Sequence, residues 1–337
     1  MINTLTIAAV VLLSAALIRV SVRGSSLGLD FNREATVPLR AILALLVVLG
    51  HLWSGTGRCC DILRTLACGQ SAVSVFFFMS GYGYEKSLQE KGEDYLDGLF
   101  LRTLRKLLVP MLLAAQVYYL VMLFSSNDFS PLEQLIGYVH GRTGFLPYSW
   151  YVFKLFLLLV VFIFCRKRCG VVGIWAVVVA EMVIFRYVLC WQAAWWVSDL
   201  GFPVGLTFAA LEPRLRRGLQ RHPIGIYALA LVLMALVLAV SVSVSPKTSM
   251  ILTRLPNLLL GPVFALVLYE FRFFGLHWLG TIAYEIYLCQ GVFVAPLAGF
   301  HLPVWGHVVC AYMGTIGLAF AVHWISAWAL TNQEAKL

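Results

Sequence analysis

Arg40 and His51 stand eleven residues apart in LRAILALLVVLGH, an otherwise apolar run. On an α-helix, eleven steps of about 100° bring them to within about 20° of one face, about 16 Å apart along the axis. An imidazole, with a pKa near about 6.5, can take a proton from a hydroxyl at neutral pH or carry a group covalently. Further along, FLRTLRKLLVP places Arg102 and Arg105 three residues apart, with Lys106 beside them. Guanidinium forks suit phosphate oxygens, so this cluster fits a phosphorylated ligand. Ser80 in SVFFFMSGYGYE, Trp150 in the WY pair, and Tyr284, Glu285 and Gln290 in LGTIAYEIYLCQ are further polar or amphipathic groups in apolar surroundings. Each has a plainer reading. Arg40 could snorkel to an interface, His51 could be an interfacial histidine, and the arginine pair could be an anchor.

The elements that must position these groups follow from composition. The chain has 337 residues, of which 61% are hydrophobic and only 12% charged. That leaves too little polar surface to cover a water-soluble globule of this size. We read an all-α, polytopic transmembrane bundle of about ten to eleven helices. Eleven apolar runs come at lengths near the roughly 20 residues that cross a bilayer. They lie near 3–20, 36–56, 69–85, 98–124, 147–165, 170–190, 193–210, 223–243, 253–270, 275–297 and 304–330.

Basic residues orient the bundle. No lysine or arginine precedes the first run, whereas Arg19 and Arg23 follow it, which favours a retained helix with its N-terminus outside. Alternation from there puts 17 of the 25 Lys and Arg on the cytoplasmic side, 5 outside and 3 within helices (Arg40, Lys154 and Arg186). The C-terminus falls in the cytoplasm, and the expected location is the plasma (inner) membrane. The formal charge of +9 is thereby assigned to topology and to anionic membrane lipids, and no nucleic-acid partner is expected. Cys59, Cys60 and Cys68 fall in or beside the first outer loop, where Cys68 could pair with either of the other two. Cys165 and Cys169 bracket a basic turn without the partners a zinc site needs, so no metal is expected.

Arg40 and His51, then VSVFFFMSGYGYE, then Arg102 and Arg105 before a proline, then WY at 150–151, then GTIAYEIYL near the end occur in an order that resembles the integral membrane acyltransferase 3 family. The resemblance covers about residues 33–330. It leaves 1–32 as an extra transmembrane helix with a cytoplasmic loop and 331–337 as a short cytoplasmic tail. It implies an O-acyltransferase that moves an acetyl (acyl) group from cytoplasmic acetyl-CoA, its co-substrate, to a hydroxyl of an envelope glycan or lipid-linked saccharide. It also implies an essential histidine at His51, and arginines at Arg40, Arg102 and Arg105 that serve the donor path. Two departures stand out. Gln290 occupies a position where members often have histidine, and Lys154 stands near where many have an acidic residue. The first suggests that Gln290 binds, and the second leaves His51 without an obvious carboxylate, for which Glu285 or Asp199 could substitute. No appended SGNH-type hydrolase domain is expected, so transfer on the outer side falls to this domain or to a separate partner enzyme.

On this reading His51 is the general base or the acyl carrier. Arg40, Tyr284 and the Ser80 hydroxyl are candidate donors to the developing oxyanion. Two other classes compete. A transporter or carrier of a glycan or lipid-linked substrate also keeps charges inside a bundle, but such folds often show repeats and paired broken helices, and neither is found in the sequence. A catalytically inactive scaffold would keep the fold without turnover. Acetyl-CoA binding separates the enzyme from the carrier, and turnover separates it from the inactive relative.

Overall fold

The computed structural model of the chain describes residues 19–22, 33–56, 69–125, 146–221, 255–274, 276–297 and 303–334, with isolated positions at 130, 132, 136, 137, 228, 229, 232 and 233. Apart from 19–20, the first apolar run lies outside them, as do most of the run at 223–243 and the cysteines Cys59, Cys60 and Cys68.

The described residues are overwhelmingly helical. In chain order they form α1 (Arg33–Thr56), α2 (Gly69–Lys91), α3 (Leu99–Ser125), α4 (Trp150–Val183), α5 (Gly201–Arg221), α6 (Leu255–Glu270), the short α7 (His277–Thr281), α8 (Ala283–Leu297) and α9 (Val304–Glu334). One pair of strands departs from the all-helical expectation. β1 (Arg19–Val22) pairs antiparallel with β2 (Phe271–Phe274), Arg19 opposite Phe274. Their sequences, RVSV and FRFF, are rich in the β-branched and aromatic residues that favour extended chain, and Arg19 and Val20 therefore do not continue a helix.

Among the described residues two helical stretches are long and apolar enough to cross a membrane, Glu93–Phe124 and Gly306–Thr331, and Thr36–Leu52 is a shorter apolar helix. Their outward faces are greasy: Phe124 is 91% exposed and Trp324 71%. A surface of this kind suits lipid.

α4 is two helices in one run. Gly170, with φ 63° and ψ −164°, breaks it. Lys154 and Glu181 nevertheless form an ion pair. In a straight helix, 27 residues would hold them about 40 Å apart, so the chain doubles back at Gly170. The expected runs at 147–165 and 170–190 are thus antiparallel neighbours, and the left-handed φ at the reversal suits glycine.

α2 and α5 touch backbone to backbone. A Cβ on Gly81 would lie 2.2 Å from the Phe202 carbonyl oxygen, and one on Gly205 would lie 2.1 Å from that of Phe78. Only glycine permits such an approach. α2 runs unbroken through Ser80 and Gly81, and the Ser80 hydroxyl bonds back to the Phe76 carbonyl at 2.9 Å. Near one end of this pair, Arg166 donates two bonds of 2.7 Å to Glu85, while Lys86 (3.0 Å) and the Tyr82 hydroxyl (2.8 Å) converge on buried Glu212. These contacts tie α2, α4 and α5 together at that end.

Candidate functional site

Two adjoining cavities open among α1, α2, α3, α4 and α8. The larger, about 1070 Å³, is a vestibule whose lining includes Arg40, Lys86, Lys91, Arg102 and Lys106 against the acidic Glu90 and Asp94. Five cations facing two anions make it a basin for an anionic ligand. The smaller, about 330 Å³, is a chamber walled by Phe76, Met79, Leu107, Tyr151, Leu155, Ala283, Tyr284 and Tyr287. Arg40, Met79, Ser80, Tyr84, Thr103 and Lys106 line both, so the two spaces share a threshold.

Helix geometry places each side chain there. Arg40 projects from the first half of α1, where its guanidinium donates to the Thr36 hydroxyl one turn back at 3.2 Å. Arg102 and Lys106 are four apart on α3 and therefore face the vestibule together. Arg102 is also fixed by donating to the carbonyls of Asp97 (2.8 Å) and Tyr95 (2.9 Å), which leaves donors of its five for another acceptor. Arg105 is exposed and is absent from the lining of either cavity. Tyr284 faces the chamber and donates its hydroxyl to the Leu107 carbonyl at 2.7 Å, joining α8 to α3. Trp150 is buried at the start of α4, in the wall rather than at a cavity surface.

His51 lies beyond the chamber. Its Nδ1 is 3.0 Å from Oε1 of Gln290 on α8, and the Gln290 amide nitrogen donates to the Tyr287 carbonyl at 3.0 Å. Turning the amide over would set its oxygen against that carbonyl, so the network fixes the amide and hence the imidazole tautomer. Nδ1 carries the proton and donates to Gln290, and the lone pair sits on Nε2. The imidazole is stacked on the Tyr148 ring, centroids 3.7 Å apart and planes 15° from parallel. The Tyr287 hydroxyl in turn donates to the Tyr148 carbonyl. His51, Gln290, Tyr287 and Tyr148 thus close a circuit, and Tyr287 is also part of the chamber wall.

This arrangement revises the expected partners of His51. Glu285 bonds Nδ1 of His323 on α9 at 2.8 Å, and Asp199 pairs with Lys154 at 2.8 Å. Both carboxylates are thereby committed elsewhere, and Gln290 takes the orienting position. Lys154 and Asp199 are wholly buried, with the Lys154 ammonium also 4.4 Å from the Phe185 ring centre. Tyr148 escaped sequence reading altogether: it precedes the WY pair in a turn, and nothing in local periodicity marks it. Among the described residues no group of three or more His, Cys, Asp or Glu could hold a metal ion. Cys165 and Cys169 are free thiols.

A family model described as an acyltransferase domain matches residues 39–324, a stretch containing Arg40, His51, both cavities' basic side chains and Gln290. No curated protein and no solved structure matches the chain.

Proposed function

The chain belongs to the acyltransferase 3 family, and from that premise we propose that it moves an acetyl group from cytoplasmic acetyl-CoA to a hydroxyl of an envelope glycan or a lipid-linked saccharide. The observation that carries this reading is the shared threshold: Arg40 lines a cationic vestibule and an apolar chamber, and Tyr287 at the chamber wall belongs to the His51 circuit. A donor with a polyanionic head and a slender, less polar arm ending in a thioester matches that sequence of surfaces.

The work of the side chains follows. Arg40, Arg102 and Lys106 hold phosphate oxygens, and the chamber keeps water from the acyl end. His51, with Nδ1 tied to Gln290, offers Nε2 to the acceptor hydroxyl. The hydroxyl oxygen attacks the acyl carbon as His51 takes its proton, the carbon–sulfur bond breaks, and the proton passes to the departing thiolate. Of the candidate donors to the transient oxyanion, Arg40 is the one with N–H groups to spare, since the Ser80 and Tyr284 hydroxyls already donate to the Phe76 and Leu107 carbonyls. The arrangement equally accommodates an acyl-imidazole formed at Nε2 and then attacked by the acceptor. A plasma-membrane setting, with many spans and a cytoplasmic C-terminus, belongs to the same proposal.

The test uses purified full-length protein, labelled acetyl-CoA, and envelope glycan freed of O-acetyl esters by mild alkali. Wild type should label the glycan. His51→Ala should lose about 10² to 10⁴ in rate while binding acetyl-CoA normally. Near-normal turnover by His51→Ala would remove the catalytic assignment. Acetyl-CoA bound by neither protein would favour the carrier class.

A further inference from the structure

We infer that Tyr148 is a positioning residue for the transfer, holding the His51 imidazole in its reactive plane; the inference rests on the function proposed above. Leu146–Ser149 is a tight turn, closed by the Ser149 amide donating to the Leu146 carbonyl at 3.0 Å. Pro147 in its second position presets the bend. The third position, Tyr148, has φ 69°. That is left-handed backbone, which glycine adopts freely and a bulky side chain adopts only under strain. Glycine would therefore build this turn better.

What tyrosine adds is the ring. It lies against the imidazole at 3.7 Å and 15°. The stack braces the face of the imidazole, while Gln290 holds its Nδ1 edge. The Tyr287 hydroxyl secures the turn from the other side by donating to the Tyr148 carbonyl, so the helix that orients the imidazole through Gln290 also anchors the ring that flattens it. A displacement of about 1 Å in a reacting group can cost about 10²-fold in rate.

Two substitutions separate this role from a structural one. Tyr148→Gly keeps the turn in its preferred conformation and removes the ring; Tyr148→Phe keeps the ring and removes the hydroxyl. With full-length protein, acetyl-CoA and the de-O-acetylated glycan, Tyr148→Phe should stay within about 3-fold of wild-type kcat. Tyr148→Gly should lose about 10²-fold in kcat with an unchanged KM for acetyl-CoA. Wild-type-like kcat in Tyr148→Gly, or an equal loss in Tyr148→Phe, overturns the inference while the His51 assignment stands, provided His51→Ala is inactive. An active His51→Ala overturns both.

Discussion

Nδ1 of His51 and Oε1 of Gln290 lie 3.0 Å apart although 239 residues separate them in the chain. A carboxamide does here what a carboxylate does in many histidine sites: it selects the tautomer. It does so without a charge, so under the proposed mechanism the imidazolium would meet a dipole rather than an anion.

Gln290→Leu removes that acceptor and leaves the imidazole free to carry its proton on either nitrogen. We expect kcat to fall about 10-fold to 100-fold while acetyl-CoA affinity holds. Gln290→Glu should keep more activity than Gln290→Leu, because a carboxylate oxygen still accepts from Nδ1. Steady-state kinetics on the three proteins, each normalised to folded material, checks the order. Equal activity in Gln290→Leu and wild type would detach Gln290 from the reaction.

Arg102 and Arg105 should behave differently despite their spacing. Arg102 lines the vestibule and Arg105 does not. Arg102→Gln should therefore weaken acetyl-CoA binding by about 10-fold or more, the value of one charge-assisted contact at about 1.5 to 3 kcal/mol. Arg105→Gln should change affinity by less than about 3-fold, as a surface charge does. Calorimetric titration with acetyl-CoA reads both, and the reverse order would place the phosphates elsewhere.

Lys154 is the shared ion-pair partner of the wholly buried Asp199 and of Glu181 beside it. Lys154→Met strands two acids and should destabilise by about 3 to 5 kcal/mol, seen as a large fall in the melting temperature. Adding Glu181→Gln and Asp199→Asn should recover most of the loss. A triple variant no more stable than the single one would mean that the lysine acts through packing alone.

Sidedness can be read from native thiols. Cys169 and Cys190 are both exposed and stand on opposite sides of the proposed membrane, since the chain doubles back at Gly170 and then traverses again. In proteins retaining one or the other, an impermeant maleimide applied to intact cells should label Cys190 and spare Cys169 until the membrane is opened. Early labelling of Cys169 would invert the topology and the donor path with it.

The parts legible in sequence are those that short-range periodicity encodes. Arg40 standing inside an apolar helix depends on residues within a few turns of one another, whereas the spacing of Arg102 and Arg105 did not tell that Lys106 and not Arg105 would line the vestibule beside Arg102, and the approach at Gly81 is to Phe202, far along the chain. The circuit around His51 was less legible. Gln290 stood out as a polar residue in an apolar span, yet its partner is on a helix far away in the chain, and no local pattern tells Gln290 from Glu285 as the group that reaches His51. Glu285 instead found His323, and Asp199 found Lys154, pairings decided by how α8, α9 and the two halves of α4 pack. Tyr148 lay in a turn whose left-handed backbone a sequence containing tyrosine gives no reason to expect.

The glycine contacts between α2 and α5 make those two helices a single beam. With Gly81 set against the Phe202 carbonyl and Gly205 against that of Phe78, neither helix can slide or roll past the other without a backbone collision. The α2 side of the chamber is then a fixed jaw, pinned again at its lower end by Glu85 and Glu212. Any widening that admits a bulkier cargo has to come from the opposite jaw. There α3 and α8 are joined by the Tyr284 hydroxyl on the Leu107 carbonyl, a single hydrogen bond where α2 and α5 have backbone contact.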